Sequence, residues 1–426
     1  MRILVLGAGI IGITAAYELA IRGCEVEVVD RAAAETRETS AATAGLIAPG
    51  HSFAWAAPSA PLELVKSLFR SDTSIRVRPR IDPELIGWGL RFLAQCTNTR
   101  AHENTRAKLR LAQRSQARFA EVLRTERFAF APSSGGVLYL YRDGAALERG
   151  MERGRIMRDH GQHQREVSRE ELQELEPALA VGRVDFVGAI HDSGDASGNP
   201  VGFAEELRRR CEELGVGFRF GVTVDRIETD GARVTGVRVS GTPAGTEVLR
   251  ADAYVLALGS ASAPLSRTLG VRIPVYPARG YSITVPVREG GLAPRLGGID
   301  EQSLVAWSRF GDELRMSATA EFAGYATDAR PRDFRNLLEA GAELFPDALD
   351  LDRAGYKVGL RPMTPDGPPI IGTAREPNLY YDTGHGHLGW TMAFGSAELV
   401  ADQIEGRPAV AEYTPTRWPA IARRAA

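Results

Sequence analysis

The sequence predicts an α/β protein. Its core is a doubly wound, Rossmann-type dinucleotide-binding domain, discontinuous along the chain, with an α+β domain set into the gaps. Three observations carry this expectation. The chain opens with a strand, a glycine turn, a helix and a second strand that ends in an acid. A further buried strand ending in glycine lies at 253–259, and strand–helix elements of the same kind return in 355–405.

The opening run Arg2-Ile3-Leu4-Val5-Leu6 stops abruptly in Gly7-Ala8-Gly9-Ile10-Ile11-Gly12. In such a Gly-x-Gly-x-x-Gly turn Gly7 permits the sharp bend, Gly9 lets the backbone approach a pyrophosphate, and Gly12 lets the helix pack closely on its strand. The phosphates then sit at the helix N-terminus, where free N–H groups and the positive dipole end favour anions. Residues 13–21 continue as an apolar-faced helix, residues 25–29 form the second strand, and Asp30 closes it where a carboxylate accepts ribose hydroxyls. A glycine pattern alone is a weak signal; turn, helix and acid together predict that these thirty residues bind a dinucleotide.

Farther on, the small residues Thr39 to Leu46 suit close approach of backbone to a flat ligand. Helical spacing follows at Leu64, Val65 and Leu68, at Leu85, Trp88, Leu90 and Leu93, and along a segment from Asn104 through Leu109, Ala112, Phe119 and Leu123. Strands are expected at 136–141 and 186–190. Asn199-Pro200 is a helix start, with asparagine as cap and proline in the first turn, and Gly215 ends that helix. Short strands follow at 218–224, 234–239 and 246–249. Strand-rich sequence returns at 273–286 and 305–317, a helix covers 333–344, and the tail carries strands at 369–372 and 379–381 before a helix near Thr391. The expected division is 1–60, 195–270 and 355–426 in the dinucleotide domain, with 61–194 and 271–354 in the second. A dinucleotide domain broken up in this way is typical of flavoproteins, by analogy of fold.

Composition excludes several classes. At 426 residues the chain exceeds one compact core, and 44% hydrophobic with 25% charged residues is ordinary for a soluble protein. A net charge of −2 offers no basic excess for nucleic acid. Cys24, Cys96 and Cys211 are scattered and lack histidines at ligand spacing, so neither a disulfide framework nor a metal site is expected. No signal peptide and no run of roughly eighteen apolar residues is present, which points to the cytoplasm. Peripheral contact with the inner face of the cytoplasmic membrane stays open, through 53–57 and the apolar helix expected at 62–69; packing beneath the dinucleotide domain is the competing explanation.

Three later segments carry chemistry. Arg361, held between glycine and proline in the run 359–367, can bind a carboxylate through a bidentate fork or make a surface ion pair. In Thr383-Gly384-His385-Gly386-His387-Leu388-Gly389-Trp390-Thr391, alternating glycines before a helix aim N–H groups at one point, suited to the negative pyrimidine edge of a reduced flavin. A His-x-His pair without a third ligand is weak support for a metal. In 273–282, Arg279 and Tyr281 share one face of a strand by alternation.

With these motifs in place, the chain resembles the FAD-dependent D-amino-acid oxidase-like superfamily, and within it the bacterial D-amino-acid dehydrogenases of the small-subunit type. The matching segments are 6–12, 38–50, 54–58, 273–282, 359–367 and 382–393, spread over nearly the whole length. The resemblance implies an FAD-binding domain and a substrate-binding domain whose mixed or antiparallel sheet covers the flavin. It implies oxidative deamination: hydride passes from the Cα of a D-amino acid to flavin N5, the imino acid hydrolyses to a 2-oxo acid and ammonia, and electrons go on to a quinone or the respiratory chain. Carried over by motif, Gly7, Gly9, Ile11, Gly12, Asp30 and Arg31 hold the ADP part, with Val224 beside the adenine. Ser40, Ala44, Gly45 and Leu46 lie along the isoalloxazine, with Gly259 nearby, and Gly386, His387, Leu388, Gly389, Trp390 and Thr391 at the pyrimidine edge. Arg361 takes the substrate carboxylate, while Tyr281, His385 and Arg279 complete the pocket. The chain departs from the family pattern at Thr43, where asparagine is commoner, and at Arg279, where lysine is common. No acid–base dyad is required if the substrate amine enters unprotonated, because the cofactor performs the hard step. Rival readings are an amino-acid oxidase using O2, a dehydrogenase of proline, hydroxyproline or sarcosine, and a flavin-binding sensor without turnover.

Overall fold

The computed structural model describes residues 1–34, 38–62, 75–78, 81–130, 132–133, 135–418 and 421. The expected helical run at Leu64, Val65 and Leu68 lies outside them.

A six-stranded sheet forms the first layer. Its spatial order is Ile370–Thr373, Leu379–Thr383, Ala253–Leu256, Arg2–Leu6, Glu25–Asp30, Gly217–Phe220, all parallel except the first. Strands buried on both faces need continuous apolar sequence, which Arg2–Leu6 and Ala253–Leu256 supply. The helices Ile10–Ile21, Asn98–Glu126, Pro200–Glu213 and Gly389–Ile404 share one apolar cluster on this sheet, with Tyr17, Leu111, Phe119, Phe203 and Phe394 inside it. Asn199 caps its helix as expected, accepting from Val201 N at 3.0 Å and Gly202 N at 3.3 Å.

The second layer is a mixed, largely antiparallel sheet of nine strands. Eight run Gly355–Met363, Tyr276–Pro286, Glu313–Phe322, Val305–Phe310, Gly297–Asp300, Val137–Tyr141, Gly188–Asp192, Gln164–Ser168; Ile75–Val77 joins the third of these. Three further strands, Thr223–Thr229, Val234–Thr242 and Gly245–Leu249, form a small antiparallel sheet.

Three details differ from the sequence reading. The single strand expected at 218–224 is two, because Gly221 turns with φ +74°: one half joins the parallel sheet, the other starts the small antiparallel one. The segment 355–363 hydrogen-bonds along Tyr276–Pro286, so it belongs to the second sheet and not to the dinucleotide sheet. The helix Asn98–Glu126, expected in the second domain, packs on Gly389–Ile404 of the first. Among the described residues no helix is long and apolar enough to cross a membrane.

Candidate active site

Between the two large sheets lies one cavity of about 840 Å³, running from the Gly7 turn and Val224 to Arg361 and the aromatic side chains Trp88, Phe92 and Phe322. Its first end is built by the opening turn. Gly7 has φ +109°, and a Cβ there would lie 2.7 Å from the carbonyl oxygen of Ala257. Gly9 is the N-cap residue of the helix and, having no side chain, supplies no cap hydrogen bond of its own. Gly12 does not line the cavity. A Cβ on it would fall on the carbonyl oxygen of Gly7, so its role is close packing of helix on turn. Asp30 accepts from Ala8 N at 2.7 Å and Ala32 N at 2.8 Å, which fixes the carboxylate at the cavity edge with acceptor capacity left over. Arg31 also lines it and pairs with Glu38 at 2.7 Å, both exposed.

The small-residue loop is clamped from behind. Ser40 Oγ accepts from Ile10 N at 3.1 Å, and Ser308 donates to the Ala44 carbonyl. Arg315, buried, donates to the Ala41 carbonyl at 2.5 Å, and burial lowers its guanidinium to about 10. Sequence reasoning missed it; its strand Glu313–Phe322 also carries Glu313, Ser317, Thr319 and Glu321, so no local pattern marks this arginine out. Ser40, Thr43, Ala44, Gly45 and Leu46 all line the cavity.

The loop 383–391 closes another wall. Gly384 and Gly386 have φ +84° and +60°, and Gly386 N donates to the Pro362 carbonyl at 2.9 Å. The sixteen-residue helix Gly389–Ile404 starts here with no side-chain cap. Gly259, His385, Gly386, His387, Leu388, Gly389, Trp390 and Thr391 line the cavity, and Thr391 Oγ1 accepts from Ala48 N at 3.1 Å. His385 Nε2 lies 3.4 Å from Asp382 Oδ1, whose carboxyl burial pushes up. His387 stacks on Trp55 at 4.9 Å, its Nε2 buried without a hydrogen-bond partner, and burial holds the ring far below the usual imidazole range. The segment 53–57, weighed as a membrane contact, contributes Phe53, Ala54, Trp55 and Ala57 to this cavity.

Arg361 stands opposite Ala278 on the neighbouring strand, facing the cavity. A Cβ at Gly280 would sit 2.7 Å from its Cζ, so the missing side chain there makes room for the guanidinium. Nη1 donates to the Thr319 carbonyl at 2.6 Å and Nη2 to Ser317 Oγ at 3.4 Å. Among the described residues no carboxylate pairs with it, and burial alone lowers it to about 10. The surface ion pair weighed as its alternative is absent there. Tyr281 and Arg279 share a strand face as alternation requires, but it is the face turned away from the cavity. Tyr281 donates to Glu321 at 2.6 Å within the second core, and Arg279, fully buried, lies 3.6 Å from the same carboxylate and donates to the Asp328 carbonyl at 2.8 Å. Neither reaches the pocket where the sequence placed it.

The arrangement fits a flavin dinucleotide: a glycine turn at a helix N-terminus, an acid on the next strand, an elongated slot and an uncapped second helix. A family model described as FAD dependent oxidoreductase matches residues 2–403. The chain belongs to this FAD-dependent oxidoreductase family. It is 41% identical over 96% of its length to a D-amino acid dehydrogenase 2 of Mesorhizobium japonicum, covering 97% of that protein. It is 42% identical, over 96% of both chains, to a D-amino acid dehydrogenase of a Methylobacterium species. Among solved structures, glycine oxidase of Geobacillus kaustophilus superposes with a TM-score of 0.73 over 98% of this chain and 99% of that one, at 21% identity. This likeness supports the fold.

FAD is the cofactor of this oxidoreductase. Asp30→Ala is expected to weaken FAD retention, read as a lower ratio of flavin to protein absorbance after gel filtration, without changing the fold seen by circular dichroism.

Proposed function

We propose that this chain oxidises D-amino acids to 2-oxo acids and ammonia and passes the electrons to a quinone or another acceptor than oxygen. The observation that carries the reading is Arg361: a buried guanidinium at the cavity wall, with no counter-ion among the described residues. Leaving such a charge unpaired is costly, and a carboxylate offered to its planar fork removes that cost. Every amino acid has a carboxylate at the same distance from Cα, so one arginine serves any side chain. The names of the curated relatives support the D-configuration and the dehydrogenase class.

Bound FAD supplies the hydride acceptor, its N5. The protein contributes position and exclusion. Thr319 and Ser317 hold Arg361 flat against Gly280, so the bound carboxylate fixes the direction of Cα–H. Beside it Trp55, Ala60, Ile75, Trp88, Phe92 and Phe322 line the cavity, and this wall carries no ion among the described residues. Such a wall excludes water and favours apolar side chains.

The test is a panel of D- and L-amino acids added anaerobically to the purified protein. Bleaching of the flavin by apolar D-amino acids, weaker with D-glutamate and D-arginine and absent with L-enantiomers, is the expected result. Turnover should follow with an artificial dye and yield little peroxide in air. Bleaching by proline or sarcosine alone, or stoichiometric peroxide, would replace this reading with the corresponding rival.

A further inference from the structure

Lys108 lies on the buried stripe Thr105, Lys108, Ala112, Ser115, Phe119 of its helix, where a charge is out of pattern. It is 2% exposed, and its Nζ donates to the Phe53 carbonyl at 2.7 Å. With Trp55, Met363, His385 and His387 it encloses a void of about 10 Å³, close to the space of one water. His387 lines this void and the main cavity alike, so Lys108 stands one imidazole ring behind the wall.

The groups facing it leave its charge uncompensated. Asp382 lies against His385, and Asp366, on the turn that packs on the Lys108 stem through Gly367, is bound by Arg417 at 2.8 Å. His387, His51 and Arg361 add no negative charge, and no carboxylate among the described residues pairs with Lys108.

We propose that Lys108 is a positioning residue for charge: its ammonium, acting through the His387 wall, raises the reduction potential of the bound flavin and takes up a proton when the flavin is reduced. This rests on the placement of the pyrimidine edge against the 386–391 turn. A cation behind that turn favours the more negative, reduced cofactor, and by reciprocity reduction favours the protonated lysine by the same factor. Burial lowers Lys108 to about 7, so the charge titrates within the working range. The sign is fixed: below that value the ammonium supports reduction, and above it the support is lost.

The experiment measures the flavin potential of the holoenzyme by dye equilibration from pH 6 to 9. The parent should show a steeper fall with pH beginning near neutrality. Lys108→Met should have a lower potential at pH 6 and no such break, and Lys108→Arg should keep the high potential without the break. A Lys108→Met potential equal to the parent's across the range overturns the proposal while leaving the cofactor site intact. Loss of FAD from the parent would count against the site instead. If Lys108→Met retains no FAD, Lys108→Arg carries the potential measurement and the apoproteins carry the ionisation. The unfolded lysine binds its proton up to about pH 10.4, so between 7 and that value unfolding takes up a proton and the parent gains stability with rising pH. Lys108→Met lacks this gain. Apoprotein stability curves that run parallel, or an arginine variant with the parent's break, overturn the proposal.

Discussion

Arg361→Ala is expected to lower kcat/KM for D-amino acids by about 30- to 5,000-fold, the equivalent of about 2–5 kcal/mol for truncating one partner of a desolvated charge pair. The carboxylate of the substrate would enter the same buried space with nothing to pair it, so affinity falls. Turnover falls as well, because a substrate free to swivel no longer aims its Cα–H. Arg361→Lys keeps a charge but cannot bond the Thr319 carbonyl, Ser317 and a carboxylate in one plane, so rescue should be partial. Gly280→Ala tests geometry without touching charge: its Cβ, 2.7 Å from the guanidinium carbon, should displace the fork and reduce activity while Arg361 is still present. FAD content should stay near the parent's in all three. Turnover of Arg361→Ala within a few-fold of the parent, measured with an artificial acceptor, would mean the carboxylate is held elsewhere.

How much of this was legible depends on how far apart the partners lie in the chain. The opening βαβ unit is local: turn, helix and second strand are neighbours, and each glycine's role follows from its spacing. Strand pairing is not local. Nothing in residues 355–363 says that they run along Tyr276–Pro286 and not beside Leu379–Thr383, so Arg361, which lines the cavity, was placed with the wrong sheet. Alternation put Arg279 and Tyr281 on one face but could not say which. The structure decides it at Gly280, whose bare backbone takes the guanidinium of Arg361 and so fixes the cavity side. Lys108 and Arg315 were not singled out, because Lys108 shares its stripe with Thr105 and Ser115 and Arg315 its strand with Glu313 and Glu321. Their meaning appears only when the structure shows both buried and, for Lys108, no paired carboxylate among the described residues.

Gly12→Ala is expected to abolish stable FAD retention and to cost the fold more than the about 1–3 kcal/mol usual for overpacking a core. The reason is what the new methyl would meet. Its Cβ falls on the carbonyl oxygen of Gly7, with Val5 Cγ1 a further 3.4 Å contact, and the first of these is backbone that cannot rotate aside. Relief requires the helix Ile10–Ile21 to lift from the strand Arg2–Leu6. That movement carries Gly9 and the start of the helix away from the point where the pyrophosphate would bind, so cofactor loss and destabilisation come from one displacement. Gly89→Ala is the matched control, since a Cβ there meets nothing within 4 Å on the helix Pro83–Gln95. Alanine is favoured over glycine inside a helix by about 1 kcal/mol, so that variant should unfold no lower than the parent. Thermal unfolding of the two variants beside the parent, with flavin content measured on the same samples, separates the cases. If Gly12→Ala keeps its FAD and unfolds alongside Gly89→Ala, the turn does not depend on the close contact of helix and strand assigned to it.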